Sequence, residues 1–320
     1  MRIGITGVSA FVGYHLAKEL VKEHQVIGFD CRQSELVKEI NTSNFKFIQG
    51  DISDFSSLKN ALKDVDLIYH LAAISSERLC RQDVLGSFRV NVQGVLNILE
   101  LARERKTKVI YASSGAVYPV RSPRQRRDGR LRRPTSNGVY LPSSRPHREE
   151  EADFTDKFYG TSKLIAERYC RLYNKNFALP FVILRFSRIY GRGMTRNPVY
   201  DILKGLESKP GTRTVRGKKV KFYESLNSCY DFIYVKDVVR ALVLARNKEW
   251  ENQIINISSA KGIVLEELVT KVEKIIGEKI DVEVLQDTQS TDILDNTKAK
   301  DLGWQPEYSL EEGLRELITR

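Results

Sequence analysis

The sequence predicts an α/β protein: a doubly wound parallel sheet followed by a smaller C-terminal α/β cap. Three observations carry this. Short β-branched runs alternate with longer helical patterns through the first half, a glycine-containing turn joins the first strand to the first helix, and beyond Phe186 shorter elements are punctuated by Gly191, Gly193, Pro198, Pro210, Gly211 and Gly217. Such alternation specifies βαβ units, whose crossovers are right-handed.

Expected strands are Arg2–Thr6, Gln25–Asp30, Phe45–Gln49, Leu67–Ala72, Lys108–Ser113 and Phe181–Phe186, with helices over Phe11–Glu23, Ser56–Lys63, Val84–Arg105 and Phe158–Lys175. Ser309 to Ile318 reads as a final helix, with Ser309 as its cap and Glu311 and Glu312 in the first turn, where the dipole favours acids. The expected division is 1–186 for the dinucleotide-binding domain and 187–320 mainly for the cap, with elements at about 230–257 returning to the first domain.

A chain of 320 residues that is 41% hydrophobic can bury a large core. Its apolar runs, such as Phe181 to Leu184 and Ala241 to Ala245, fall far short of the roughly 20 residues a membrane span needs. Met1 leads directly into Ile3-Gly4-Ile5-Thr6-Gly7 with no signal-peptide pattern, so the expected location is cytoplasmic and off the membrane. Cys31, Cys80, Cys170 and Cys229 are widely spaced and form no metal or redox motif, so no metal is expected and the thiols read as reduced.

The formal charge of +11 is concentrated in one place. Residues 120–148 hold nine arginines against the single acid Asp128, and so carry +8 of it. This Arg-, Pro- and Ser-rich insertion, at about 119–150, reads most simply as a solvated stretch. A cationic lid for an anionic substrate, a nucleic-acid-binding arm and a shifted reading frame restored near Glu149 are the alternatives.

The nucleotide site is expected at the turn Thr6-Gly7-Val8-Ser9-Ala10-Phe11-Val12-Gly13. Free N–H groups and the dipole of the following helix favour a pyrophosphate there, with Gly7, Ala10, Phe11, Val12 and Gly13 as the contacts. Ala10 puts a methyl where the backbone would otherwise come closest to phosphate. Asp30, about 20 residues on, is placed to accept hydrogen bonds from an adenosine ribose and to repel a 2′-phosphate, which favours NAD over NADP. Arg32 keeps NADP open. Asp51 and Ile52 after the third strand, and Leu71, Ala72 and Ala73 after the fourth, fall at strand ends where ligands bind in such sheets. Each feature alone also fits a tight turn or an ordinary loop acid; their joint spacing favours a cofactor site.

Tyr159 and Lys163 are four residues apart on a helix, which places phenol and ammonium on one face. Bringing a phenol from pKa 10 to near 7 costs roughly 4 kcal/mol, which a lysine cation and a positive nicotinamide can supply. Ser114, at the end of the fifth strand, is placed to hydrogen-bond the reacting oxygen. The pair alone also fits a solvated helix face, and Ser114 tips the reading toward catalysis.

These motifs resemble those of extended short-chain dehydrogenases/reductases, in particular the NAD-dependent epimerase/dehydratase family and its branch of UDP-glucose 4-epimerase-like enzymes. The similarity runs nearly end to end: Thr6 to Gly13, Gly50-Asp51-Ile52, Tyr69 to Ala73, Asn91 to Asn97, Ser113 to Tyr118, Tyr159 to Lys163, Leu184 to Gly191, Asp231 to Val238, Asn256-Ile257-Ser258 and Leu302-Gly303-Trp304. The resemblance implies a Rossmann-type fold, NAD as cofactor with Asn91, Tyr159 and Lys163 among its contacts, and a homodimer paired through Val84–Arg105 and Phe158–Lys175. It also implies that Tyr159 is the acid/base, that Lys163 holds the nicotinamide ribose and lowers the tyrosine pKa, and that Ser114 orients the sugar.

The implied activity is C4 epimerisation of a UDP-sugar through a transient 4-keto sugar. An NAD(P)H-dependent 4-keto-sugar reductase is the alternative, and a non-catalytic nucleotide- or RNA-binding member is a third reading. Gly115 and Ala116 stand where the family's dehydratases carry acids, which disfavours dehydration. Three departures bear on the substrate: Arg188 replaces an Asn near the diphosphate, Tyr230 replaces an Arg before Asp-Phe-Ile-Tyr, and Thr288 to Asp292 lacks the expected Arg. Arg188 and Tyr230 are the candidate substrate contacts, with a surface ion pair as the other role for Arg188.

Overall fold

A computed structural model describes residues 1–119, 146–206, 219–286 and 290–319. The strands are β1 (Arg2–Thr6), β2 (Gln25–Asp30), β3 (Phe45–Gln49), β4 (Leu67–His70), β5 (Lys108–Ser114), β6 (Phe181–Phe186), β7 (Arg188–Tyr190), β8 (Val220–Phe222), β9 (Cys229–Tyr234), β10 (Gln253–Ile257), β11 (Gly262–Val264), β12 (Val282–Val284) and β13 (Thr291–Asp292). The helices are α1 (Phe11–Leu20), α2 (Glu35–Lys38), α3 (Phe55–Leu62), α4 (Glu77–Gln82), α5 (Val84–Phe88), α6 (Gly94–Arg105), α7 (Phe158–Phe177), α8 (Pro198–Gly205), α9 (Val235–Leu244), α10 (Leu265–Ile276), α11 (Thr297–Asp301) and α12 (Leu310–Ile318).

Seven parallel strands form the central sheet in the order β10-β6-β5-β4-β1-β2-β3. Period-2 alternation sends Ile3, Ile5, Val26, Tyr69 and Leu184 to one face, where α1 and α9 cover them. Ile27, Phe29, Ile68, Val109 and Ile183 face the other side, under α3, α6 and α7. Helices on both faces make the sheet doubly wound. The strand order reverses between β1 and β4, and ligands bind such sheets in the crevice at the carboxyl ends beside that point.

The smaller cap is built on β7, β9, β11 and β13, with β9 at its centre, and on the pair β8–β12. Its own core includes Val199, Ile202, Phe232, Leu265, Leu268 and Leu314. β9 pairs outside the central sheet, and the return to the first core is made by α9 and β10.

Two expected elements differ in extent for identifiable reasons. The fourth strand stops at His70 because its partner ends first: Leu71 N–H still bonds the Thr6 carbonyl at 3.2 Å, and the chain then turns at Gly7, where φ is 72°. The expected helix Val84–Arg105 is interrupted between α5 and α6 by a π-helical turn at Arg89–Gln93, and such turns concentrate at functional sites. The last helix begins at Leu310 behind a full capping box between Ser309 and Glu312.

The Asp-Phe-Ile-Tyr segment contains a structural knot. Buried Asp231 accepts the backbone N–H groups of Ser259, Ala260 and Leu294 and the hydroxyls of Ser187 and Ser259, which ties β9 to two neighbouring loops. Burial raises its carboxyl to about 6 against those bonds. No described helix is long and apolar enough to cross a membrane.

Candidate active site

The turn after β1 is fixed by close packing. A Cβ on Gly7 would lie 2.6 Å from the Ala72 nitrogen, and one on Gly13 would lie 2.2 Å from the Gly7 carbonyl oxygen, so both positions require glycine. Ala10 occupies the N-cap of α1 and supplies no side-chain acceptor to its first-turn N–H groups. Phe11 reaches across to Gly191 and Gly193, and Val12 packs on the main core. Asp30 ends β2 and accepts the Ser9 N–H at 2.9 Å, so this acid shapes the turn after β1.

Around this turn, Leu71, Ala72 and Ala73 follow β4. Asp51 holds Ser53 in a tight turn after β3, and Ile52 is buried against Gly94. The side-chain amide of Asn91, expected to contact cofactor, binds both backbone groups of Ile74 and donates to the Ser162 hydroxyl at 3.0 Å. Asn91 thus ties the chain after β4 to α7.

Ser114, Tyr159 and Lys163 are brought together. Ser114 ends β5, and its hydroxyl faces the Tyr159 phenol closely enough to favour the ionised form. Lys163 Nζ lies 5.8 Å from the Tyr159 ring centroid and 4.6 Å from that of Tyr111, and donates to the Ala112 carbonyl at 2.7 Å. Gly160 is what lets the helix approach: a Cβ there would sit 2.1 Å from the Ala116 oxygen.

The electrostatics differ from the expectation that Lys163 lowers the tyrosine pKa. Tyr159 retains some exposure, yet its crowded surroundings push the phenol up to about 12, opposed by Ser114 and by the charge of Arg196. Burial pulls Lys163 down to about 7, against the pull of Glu167. Desolvation is thus the largest influence at both groups. Burial, followed by the Lys163 charge, lowers His70 to about 3, so it is a neutral imidazole paired with Thr6 at 2.7 Å.

On the substrate side, the Arg188 guanidinium lies 3.6 Å above the Tyr230 ring centroid, and its Nε is buried without a hydrogen-bond partner. Among the described residues no carboxylate lies within ion-pair distance of Arg188. Tyr230 is buried, and its hydroxyl is shared with Ser290. Thr291 and Asp292 pair with β9 as β13; Thr288 and Gln289 lie outside the described residues, as does most of the arginine-rich insertion. The His147 ring stacks on Tyr118 at 4.7 Å. Arg196 and Glu77, which binds the N–H of Tyr159, had no sequence signal, because each reaches the site from a loop or helix remote in the chain.

The sequence profile of the NAD dependent epimerase/dehydratase family matches residues 3–258. The chain belongs to that family. Among relatives, this family member is 28% identical to UDP-glucuronate 4-epimerase of Thermodesulfobacterium geofontis, across 98% of this chain and 94% of that one. UDP-glucose 4-epimerase of Thermotoga maritima, solved with UDP-glucose, superposes with a TM-score of 0.83 at 26% identity, covering 98% of this chain and 96% of the other. UDP-glucuronic acid 4-epimerase of Bacillus cereus, in complex with UDP-4-deoxy-4-fluoro-glucuronic acid and NAD, gives 0.81 at 27% identity, covering 98% and 97%.

Proposed function

We propose that this epimerase/dehydratase-family chain inverts C4 of a UDP-sugar with bound NAD. The observation that carries the reading is the convergence of Ser114, Tyr159 and Lys163 beside a glycine turn at a helix N-terminus. The residues fit the cofactor: open N–H groups at α1 suit a pyrophosphate, Asp30 suits an unphosphorylated ribose, and the raised phenol calls for a cation of the nicotinamide kind. When bound, the nicotinamide supplies reversible hydride acceptance. Ser114 orients the sugar oxygen, Tyr159 takes and returns the proton of the C4 hydroxyl, and Lys163 holds the ribose while its charge favours the phenolate.

UDP-sugars are the class acted on or bound by the relatives above, and an acid at Asp30 disfavours the NADPH-linked reductase reading. The test is incubation with UDP-glucose, UDP-glucuronate and UDP-N-acetylglucosamine, following product identity and reduced-nicotinamide absorbance together. Epimer without net absorbance change is expected; stoichiometric consumption of added NADPH would replace this reading with the reductase.

Arg188, stacked on Tyr230, is the proposed cation for the substrate's anionic groups. Arg188→Met is expected to raise the KM of the best UDP-sugar about tenfold with little change in kcat. We also propose a cytoplasmic homodimer: Val84, Leu85, Phe88, Leu172 and Phe177 leave large apolar side chains exposed on α5 and α7. Light scattering at micromolar concentration should give twice the chain mass, and a monomer would remove the proposal.

A further inference from the structure

The helix that carries Tyr159 has no cap of its own. Lys157 occupies the N-cap position of α7 and contributes no side-chain acceptor, which would leave the first N–H groups orphaned. The acceptors come instead from a residue 81 and 82 positions away. Glu77 on α4 takes the Phe158 N–H on Oε1 at 3.3 Å and the Tyr159 N–H on Oε2 at 2.9 Å. We propose that Glu77 is a positioning residue for the acid/base tyrosine, clamping the peptide that carries the phenol. The proposal rests on the reading of Tyr159 as the acid/base.

The other peptide group of Tyr159 is held by the same unit. Its carbonyl accepts the Ser162 hydroxyl at 2.8 Å, and that hydroxyl accepts from Asn91, whose amide fixes both backbone groups of Ile74. Ile74 is three residues before Glu77, so a closed ring of bonds runs from the Tyr159 N–H through Glu77, Ile74, Asn91 and Ser162 back to the Tyr159 carbonyl. Glu77 is itself oriented: Ser76 caps α4, and Arg81 lies 3.6 Å from the Glu77 carboxylate. On the opposite side the first turn of α7 abuts the Ala116 carbonyl, which also accepts the Thr155 hydroxyl at 3.1 Å. Tyr159 is thus gripped between the loop after β4, at the cofactor edge, and the turn after β5, which carries Ser114. A carboxylate at this helix end is also the charge the dipole favours.

A misplacement of about 1 Å can cost on the order of 100-fold in rate, whereas substrate binding depends little on the phenol. Glu77→Ala is therefore expected to lower kcat about 30-fold with KM changed by no more than about twofold, measured with UDP-glucose, UDP-glucuronate and UDP-N-acetylglucosamine on the NAD-loaded full chain. Glu77→Gln keeps a carbonyl acceptor and should recover kcat to within about fivefold of wild type. Hydrogen exchange read by mass spectrometry should rise in Glu77→Ala over residues 158–161 and stay unchanged in the central sheet. Unchanged exchange at those residues, or kcat in Glu77→Ala within about twofold of wild type, overturns the proposal, as does an equal loss in both variants accompanied by faster exchange throughout. Tyr159→Phe is the control: if it remains active, the acid/base reading fails, whereas an inactive Tyr159→Phe beside an unimpaired Glu77→Ala removes only the role of Glu77.

Discussion

Replacing Tyr159 by phenylalanine should lower kcat for the best UDP-sugar about 1000-fold while leaving the protein folded and its affinity for that sugar nearly intact. The ring is kept, so the packing beneath it is preserved and only the proton-carrying oxygen is lost. In the present geometry the phenol is pushed up to about 12 by its surroundings, so its usefulness as a base depends on positive charge brought in by the bound cofactor. The neighbouring Ser162 hydroxyl cannot take over the proton, because it already donates to the Tyr159 carbonyl. Steady-state kinetics with product analysis would check this, and a variant with more than about a tenth of wild-type kcat would remove Tyr159 from the chemistry.

Glu167→Ala should be the most damaging substitution for stability, at about 3–5 kcal/mol, because it strands Arg185 in the interior. The two side chains are each 3% exposed and meet at 2.6 Å. Glu167 also accepts the Ser113 hydroxyl at 2.5 Å, and Arg185 donates to the Tyr118 hydroxyl at 3.0 Å and to the Glu149 carbonyl at 2.7 Å. Removing one partner leaves a buried charge whose solvation was supplied by the other. A fall of roughly 6 °C or more in the thermal midpoint is expected for Glu167→Ala. The double replacement of Glu167 and Arg185 by methionine should restore much of the loss, since apolar replacements of a buried pair are often near neutral. Calorimetry of the two variants decides it; a double variant as unstable as the single one would show that the pair itself, and not the stranded charge, sets the cost.

The parallel sheet was legible because both of its faces are buried. Strands such as Phe181–Phe186 then read as apolar runs, here broken only by Arg185, and the bounds of β1, β2, β3 and β6 follow directly. β10 was harder to read: it follows the cap strand β9 in the chain but pairs with β6, and pairing across about 70 residues leaves no local trace. The π-helical turn was hidden for a different reason, since the apolar spacing of Val84–Arg105 satisfies a continuous helix and the interruption coincides with the bonds of Asn91 to Ile74 and Ser162.

In the site, Ser114, Tyr159 and Lys163 could be named from strand-end position and i, i+4 spacing. Their proton affinities could not, because desolvation depends on what surrounds a group in space: Lys163 has the Tyr111 ring against its ammonium, from a strand 52 positions away. Arg188 over Tyr230 belongs to the same class, a stack made across two strands of the cap.

The stacked rings of Tyr118 and His147 bring the two ends of a 28-residue excursion to one point, and each end is separately anchored. The Tyr118 hydroxyl donates to the Asn256 side chain at 2.6 Å, and the same asparagine donates to the His147 carbonyl at 3.0 Å. Asn256 therefore staples the chain on either side of the arginine-rich stretch, holding Tyr118 and His147 in one place although they lie far apart in the sequence.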